Sequence, residues 1–254
     1  MNREESAAQP IKLSDRLLAI ASLVRGGEIL CDVGCDHAHI PIYLLQHGQV
    51  KGVLGMDVIP GPLEKARENL ERYGCSREVT LRQSDGLDAY RIGEEQSLLI
   101  SGMGGKIIRT ILLREEEKTK SFSELILQPQ ADAHLVRAAV RTLGFVIDDE
   151  RILRERGKYY VILHAVQGSH QPSILSQETQ NAFGPVLLRR RDPLLHKYLL
   201  WQEDVQNRIL CSVRQVQTPS EETAKSEEAA RRQLEMIEEA LSWYAEESRG
   251  EEMP

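Results

Sequence analysis

The sequence predicts an open α/β sheet domain followed by an all-helical segment, on three observations. Short apolar runs alternate with amphipathic ones from residue 13 to about residue 167. The last two strand-like runs are separated only by Arg154-Glu155-Arg156-Gly157-Lys158, which reads as a hairpin turn. Beyond Gln167 the strand-like runs stop, and apolar residues recur at three- and four-residue intervals.

The first helix is expected over Leu13–Val24, where Leu13, Leu17, Ile20, Ala21 and Val24 share a face, Ser14 and Asp15 stand early, and Gly26-Gly27 close it. Strands are expected at Glu28–Asp32, Gly52–Asp57, Val79–Gln83, Ser97–Ser101, Glu124–Leu127, Phe145–Ile152 and Tyr159–Val166. Helices are expected between them at Ile40–Gln46, Pro62–Tyr73, Lys106–Arg114 and Ala131–Leu143. Strands alternating with helices of this length imply right-handed crossovers and a parallel sheet. Five βα steps ending in a β-hairpin resemble the seven-stranded, Rossmann-like class I methyltransferase fold, whose final strand inserts antiparallel.

Gly168-Ser169-His170-Gln171-Pro172-Ser173 reads as a linker, which divides the chain into residues 1–168, the sheet domain, and 169–254, the helical one. Asp192-Pro193 places a cap residue before a first-turn proline. Leu194, Tyr198, Trp201, Val205, Ile209 and Val216 then mark one helix face. Thr218-Pro219-Ser220-Glu221 reads as a capping box, and Ala230, Leu234, Ile237, Leu241 and Tyr244 mark the face of a second helix. Two such helices joined tightly predict an antiparallel, coiled-coil-like pair. The tail Glu251-Glu252-Met253-Pro254 is expected to fray.

The 254 residues accommodate one full α/β domain and a smaller appendage, and an apolar fraction of 41% suffices for a core. A formal net charge of -7 points away from a protein that coats nucleic acid non-specifically, while leaving room for a local basic surface. Cys31, Cys35, Cys75 and Cys211 are too scattered for a disulfide framework or a zinc site. Met1–Ser6 is polar, without the apolar stretch of a signal peptide, and no window reaches the roughly 18 apolar residues of a membrane span. The expectation is a soluble, cytoplasmic protein without metal, a monomer or weak dimer.

Ligands of open α/β sheets bind beyond the carboxyl ends of the strands. The first strand ends in Asp32 and Gly34, and Gly34 lets backbone approach a ligand closely. Asp57 ends the second and suits the two ribose hydroxyls; Asp85 and Gly86 end the third, where a carboxylate can accept from an adenine amino group. Gly102, Met103, Gly104 and Gly105 form a glycine-rich floor after the fourth. No G-x-G-x-x-G or P-loop lysine is present, and the first loop carries acids and imidazoles instead of phosphate-facing amides. Acids suit the cationic amino acid-sulfonium of S-adenosyl-L-methionine better than a pyrophosphate. A single strand-end Asp is more often a helix cap, but three at successive strand ends favour a cofactor. His37 and His39 beside Cys35 lack a fourth partner for a metal.

The Asp32–Pro41 segment, Gly102-Met103-Gly104-Gly105 and Leu127-Gln128-Pro129 together resemble the bacterial tRNA (adenine(22)-N1)-methyltransferase family (TrmK). Leu13-Ser14-Asp15-Arg16-Leu17, Gly61-Pro62 and the run Ile107–Leu112 fit as well. His39 stands where that family commonly has Tyr, and Gln130 where it commonly has Asn. The resemblance covers nearly the whole sheet domain and implies methyl transfer to N1 of an adenosine in tRNA, with Asp32, Gly34, Asp57, Asp85, Gly86, Gly102 and Met103 on the cofactor side. On the substrate side stand His39, Gly104, Gly105, Gln128, Pro129 and Gln130. Asp36, with His37 or His39 orienting it or touching the base, is the expected catalytic carboxylate, because alkylation at N1 acidifies the exocyclic amine. Its alternative role is an N-cap of the following helix. Arg189, Arg190 and Arg191 at the root of the helical pair are expected to meet tRNA phosphates; the helical pair could instead serve dimerisation. The competing functions are methylation of another RNA or a small molecule, and non-catalytic cofactor and RNA binding.

Overall fold

The computed structural model describes residues 9–25, 28–94, 96–169, 172–216 and 220–250. Met1–Ser6, Gly26-Gly27, His170-Gln171, Thr218-Pro219 and Glu251–Pro254, which figure in the expectations above, lie outside the described residues. By compactness the chain divides into two units, with the boundary between residues 170 and 171.

The first unit is built on strands β1 (Ile29–Val33), β2 (Gly52–Asp57), β3 (Val79–Gln83), β4 (Ser97–Met103), β5 (Glu124–Pro129), β6 (Phe145–Glu155) and β7 (Lys158–Gln167). They form one sheet in the order β3-β2-β1-β4-β5-β7-β6. Pairings up to β5 are parallel, whereas β7 runs antiparallel to both β5 and β6. Buried from both faces, β5 is a continuous run of Glu124-Leu125-Ile126-Leu127-Gln128-Pro129, as a central strand between helical layers requires. The chain reverses direction across the sheet between β1 and β4, so the carboxyl ends of those two strands flank the ligand crevice.

Helices α1 (Asp15–Ala21), α2 (His39–Gln46), α3 (Pro60–Arg72), α4 (Gly105–Arg114), α5 (Glu116–Ser121) and α6 (Ala133–Thr142) complete the unit. Ser14 caps α1 by accepting from the Leu17 amide. Ile20, Leu23, Leu30, Ile40, Leu44, Leu99 and Ile126 form one buried cluster between helices and sheet. A second cluster joins Cys35, Ala38 and Ile42 to Leu63, Ala66 and Leu70 of α3. Each leucine or isoleucine among them contributes about 1.5–3 kcal/mol by leaving water, so the loop between β1 and α2 is anchored at both ends. The third crossover, from β3 to β4, runs through turns and carries no helix among the described residues, unlike the other βα steps. It is held instead by side chains: Arg82 reaches the Ala89 carbonyl at 2.6 Å and the Glu94 carboxylate at 2.9 Å. Short α5 was not foreseen; its Glu116, Glu117, Lys118 and Lys120 hide any apolar period.

The second unit contains α7 (Gln177–Phe183), α8 (Pro185–Arg189), α9 (Pro193–Arg214) and α10 (Glu221–Gly250). Asp192 caps α9 with bonds from the Leu194 and Leu195 amides at 2.8 and 3.0 Å. The indole N–H of Trp243 donates to the Leu188 carbonyl at 2.9 Å and the Tyr244 hydroxyl to the Asp192 carbonyl at 3.0 Å. The end of α10 therefore lies beside the start of α9, and the two helices run antiparallel. On α10 the expected face is the one that packs, through Ala230 and Ile237. On α9 the seam differs from expectation: Leu195, Leu199 and Leu210 are buried, while Trp201 and Ile209 are exposed, as is Val216 just past the helix end. α9 carries two apolar stripes, and periodicity alone does not choose between them. Short α7 and α8 were also unforeseen; α7 is fastened by Glu239, which accepts from the Ser176 amide at 2.5 Å and from the Ser176 and Thr179 hydroxyls. Among the described residues no helix is long and apolar enough to cross a membrane.

Candidate active site

The loop from β1 to α2 is the most contorted stretch of the sheet unit. Gly34, Asp36 and Ala38 have φ of 76°, 38° and 56°, so alternate residues are left-handed. Backbone held this way by its surroundings gathers at functional sites. The Met56 carbonyl accepts from both the Gly34 and Cys35 amides, at 2.7 and 3.1 Å, and the Asn69 side chain donates to the His37 carbonyl at 3.0 Å. A Cβ at Gly34 would stand 2.2 Å from the Met103 methyl, the movable end of a flexible side chain, so the firmer demand for glycine is the left-handed φ. The end of β4 is thereby packed onto the end of β1.

Asp32 is 3% exposed, and its carboxylate receives no hydrogen bond from the described residues. Burial, reinforced by Asp57, pushes its carboxyl up to about 7. A buried carboxylate without a donor, facing the crevice end of β1, suits a cationic ligand. Asp57 turns the chain toward α3 by accepting from the Ile59 amide at 3.0 Å. Burial first, then Asp32 and Asp57, also push the Cys35 thiol up, so this cysteine is inert packing beneath the loop.

Asp36 projects into solvent with its side chain 63% exposed, and one oxygen lies 3.6 Å from His37 Nε2. It does not cap α2: Ala38 occupies the cap position and no side chain bonds to that helix end. The carboxylate is thus free of the structural duty that could have explained it. His37 and His39 stack at 5.4 Å between ring centroids. Burial, then the neighbouring His37, lowers the pKa of His39, which keeps this imidazole neutral at pH 7.

Across the crevice, Gly102, Met103 and Gly104 lead into α4, whose first residue, Gly105, admits no Cβ because the Asp132 carbonyl oxygen would be 2.4 Å away. The Gln130 amide donates to the Met103 carbonyl at 2.8 Å, and its exposed side chain lies beside Gly102. Gln128 is fully buried: its oxygen accepts from Arg16 Nη1 at 2.7 Å and its nitrogen donates to the Pro129 carbonyl at 2.8 Å. Its amide is therefore committed to the protein, and Pro129 is likewise buried.

Asp85 is exposed and holds Arg114, 3.0 Å from its Oδ2, with the buried Gly86 behind it. In the second unit Arg189 and Arg190 are exposed, whereas Arg191 bonds the Trp243 carbonyl at 3.0 Å and lies 4.3 Å over its ring. Arg16, Asn69 and the Met56 carbonyl were not singled out as site residues. Arg16 stood in a noticed segment without a role; Asn69 left no signal, its partner being a backbone atom.

Residues 13–163 match a family model described as a methyltransferase domain. The tRNA (adenine(22)-N(1))-methyltransferase of Bacillus subtilis is 31% identical over 199 residues, covering 78% of this chain and 83% of the relative. The chain belongs to the tRNA (adenine(22)-N(1))-methyltransferase family. Among solved structures, the B. subtilis m1A22 tRNA methyltransferase TrmK superposes with a TM-score of 0.80 at 28% identity, over 91% of this chain and 99% of that one. Sp1610 of Streptococcus pneumoniae, in complex with S-adenosyl-L-methionine, gives a TM-score of 0.76 at 31% identity, over 91% and 100%. Family membership accords with the antiparallel β7 and with the acid-rich loop between β1 and α2.

Proposed function

We propose that this protein transfers the methyl group of S-adenosyl-L-methionine to N1 of adenosine 22 in tRNA. The observation that carries the reading is the strained loop at the end of β1, which presents a buried, donorless Asp32 on one side and an exposed, uncapping Asp36 on the other. The complexes and names of relatives support it.

Bound S-adenosyl-L-methionine supplies an electrophilic methyl carbon. Asp32 faces the cation of its amino acid end, Asp57 the ribose, and Asp85 and Gly86 the adenine edge. Gly34 and Gly102 give room for close approach, and Met103 closes the floor. The N1 lone pair of adenine lies in the base plane and needs orientation more than activation. A base in a stem is first extruded from its stack. The emerging positive charge is met by Asp36, which accepts from, or deprotonates, the exocyclic amine. His37 sits beside that carboxylate, and neutral His39 offers a hydrogen bond to the base. Gly104, Gly105 and Gln130 border the base, while Gln128 and Pro129 brace that border from within.

Residues 1–168 act as the cofactor domain and 169–254 as the helical arm, whose Arg189 and Arg190 reach phosphates. Arg191 holds the arm together. The protein works in the cytoplasm, as a monomer or weak dimer. Incubation with methyl-labelled cofactor and unmodified tRNA, with mass-spectrometric mapping of the product, tests the reading. Label at N1 of adenosine 22 is expected; label in another RNA or a small molecule only, or none, overturns it. Asp36→Ala should abolish transfer while cofactor affinity stays within about twofold, and unchanged turnover would remove Asp36 from its role.

A further inference from the structure

The β6–β7 hairpin reaches past the carboxyl edge of the sheet on the site's side. Leu127 of β5 stands opposite Leu163 of β7, so Lys158, Tyr159 and Tyr160 extend beyond Pro129, roughly 10 Å at about 3.3 Å per residue. Glu155 pairs with Lys158, which leaves Arg156 and Gly157 as a two-residue loop.

Three cations, Arg154, Arg156 and Lys158, fall close together at this tip. Elsewhere many cations are neutralised by carboxylates: Lys51 by Glu28, Arg82 by Glu94, Arg114 by Asp85 and Asp88, Lys120 by Glu116. At the tip, Arg154, Arg156 and Lys158 pair with no carboxylate among the described residues. The tip's one acid, Glu155, is turned toward Arg16, accepting from its amide at 3.3 Å and lying 3.8 Å from its Nε. Arg154 stands 5.5 Å over the Tyr159 ring. Three exposed, uncompensated cations thus share one projection on a chain of net charge -7.

The loop itself is the second observation. Arg156 and Gly157 both have positive φ, 49° and 81°. A two-residue hairpin with positive φ at both positions favours Asn-Gly or Asp-Gly. Arginine is a poor local choice there, and local choices that work against the fold mark function.

We propose that Arg154, Arg156 and Lys158 form a phosphate-binding tip that grips the RNA backbone flanking the target adenosine. This rests on the tRNA reading above. Phosphates are the complementary partner: three exposed cations share one tip, and the hairpin runs past the carboxyl end of β5.

The test uses the full-length protein and an unmodified tRNA transcript, measuring equilibrium binding across a salt series alongside methyl transfer. The variant R154A/R156N/K158A should bind at least tenfold more weakly. Its slope of log affinity against log salt should be shallower by about two, since each phosphate contact contributes roughly 0.7–0.9. Turnover at saturating tRNA and cofactor affinity should stay unchanged. The control K51A/R67A/K120A removes three cations that are already paired, and should behave as wild type. Arg156→Asn alone is the sharpest arm: it should raise the melting temperature yet weaken RNA binding, whereas a purely structural Arg156 predicts no change in binding. Equal affinity and slope in wild type and triple variant would overturn the tip. Wild type that binds tRNA with the tip-dependent slope but methylates no adenosine 22 would overturn the tRNA-methylation reading and leave the tip standing.

Discussion

Arg16 Nη1 donates to Gln128 Oε1 at 2.7 Å, joining residues 112 positions apart. The bond ties the first helix to the end of β5, directly behind Gln130. Arg16 also meets Glu155 and lies 5.3 Å from the Tyr160 ring, so one guanidinium braces the site border and the overhanging hairpin together. Replacing it leaves the buried Gln128 oxygen unbonded, at a cost of about 1–3 kcal/mol. Arg16→Met should lower stability by that amount in urea titration, and reduce kcat more than cofactor affinity. An unchanged midpoint would show that Gln128 finds another donor.

Gly34→Ala meets two obstacles, the left-handed φ and the Met103 methyl 2.2 Å from the new Cβ. Cofactor binding should fall at least a hundredfold by calorimetry. Adding Met103→Ala relieves the clash but not the φ, so recovery should be partial. Full recovery would place the whole cost in the clash.

Asp32 is expected to make cofactor affinity pH-dependent. With its carboxyl near pH 7 in the free protein, affinity for the cationic ligand should rise as pH goes from 6 to 8, and Asp32→Asn should flatten that profile while weakening binding. The stability sign is opposite. A folded pKa raised above the unfolded value favours the protonated native state, so this contribution is complete below about pH 4 and lost as pH rises through about 7. Without cofactor, Asp32→Asn should therefore be the more stable protein at pH 8, by on the order of a few kcal/mol, in thermal melts.

His164, fully buried, bonds Glu124 at 2.8 Å through Nε2 and Asp148 at 2.5 Å through Nδ1. Burial pulls its pKa down, but the two carboxylates outweigh it and raise the value above the ordinary 6.5. Its stabilisation is present below 6.5 and lost as pH rises through the folded pKa. His164→Gln should lower the melting temperature at pH 6 much more than at pH 9. A pH-independent loss would mean that the imidazole is neutral throughout.

Strands β1, β2 and β4 were legible because each is a short, mostly apolar run closed by Gly, Asp or Ser, and β2 and β3 begin and end where expected. The loop between β1 and α2 stood out in the sequence because it gathers acids and imidazoles at a strand end. Gln128 read as a substrate contact from its neighbours in sequence, yet it is a brace, because its partner Arg16 comes from a remote helix. The α9 seam was misread because Leu195 and Trp201 belong to two stripes that differ only in what packs against them.

Local physics, then, settled the periodicities, the caps and the choice of acids over phosphate-binding amides, since all of these act within a few residues of chain. Tertiary structure alone decided that the Asp32 carboxylate is buried with no donor among the described residues, that Met103 lies on Gly34, and that the β6–β7 hairpin runs past the end of β5. Each depends on which strands lie side by side and how far each extends, and burial, charge compensation and steric room are properties of neighbours in space.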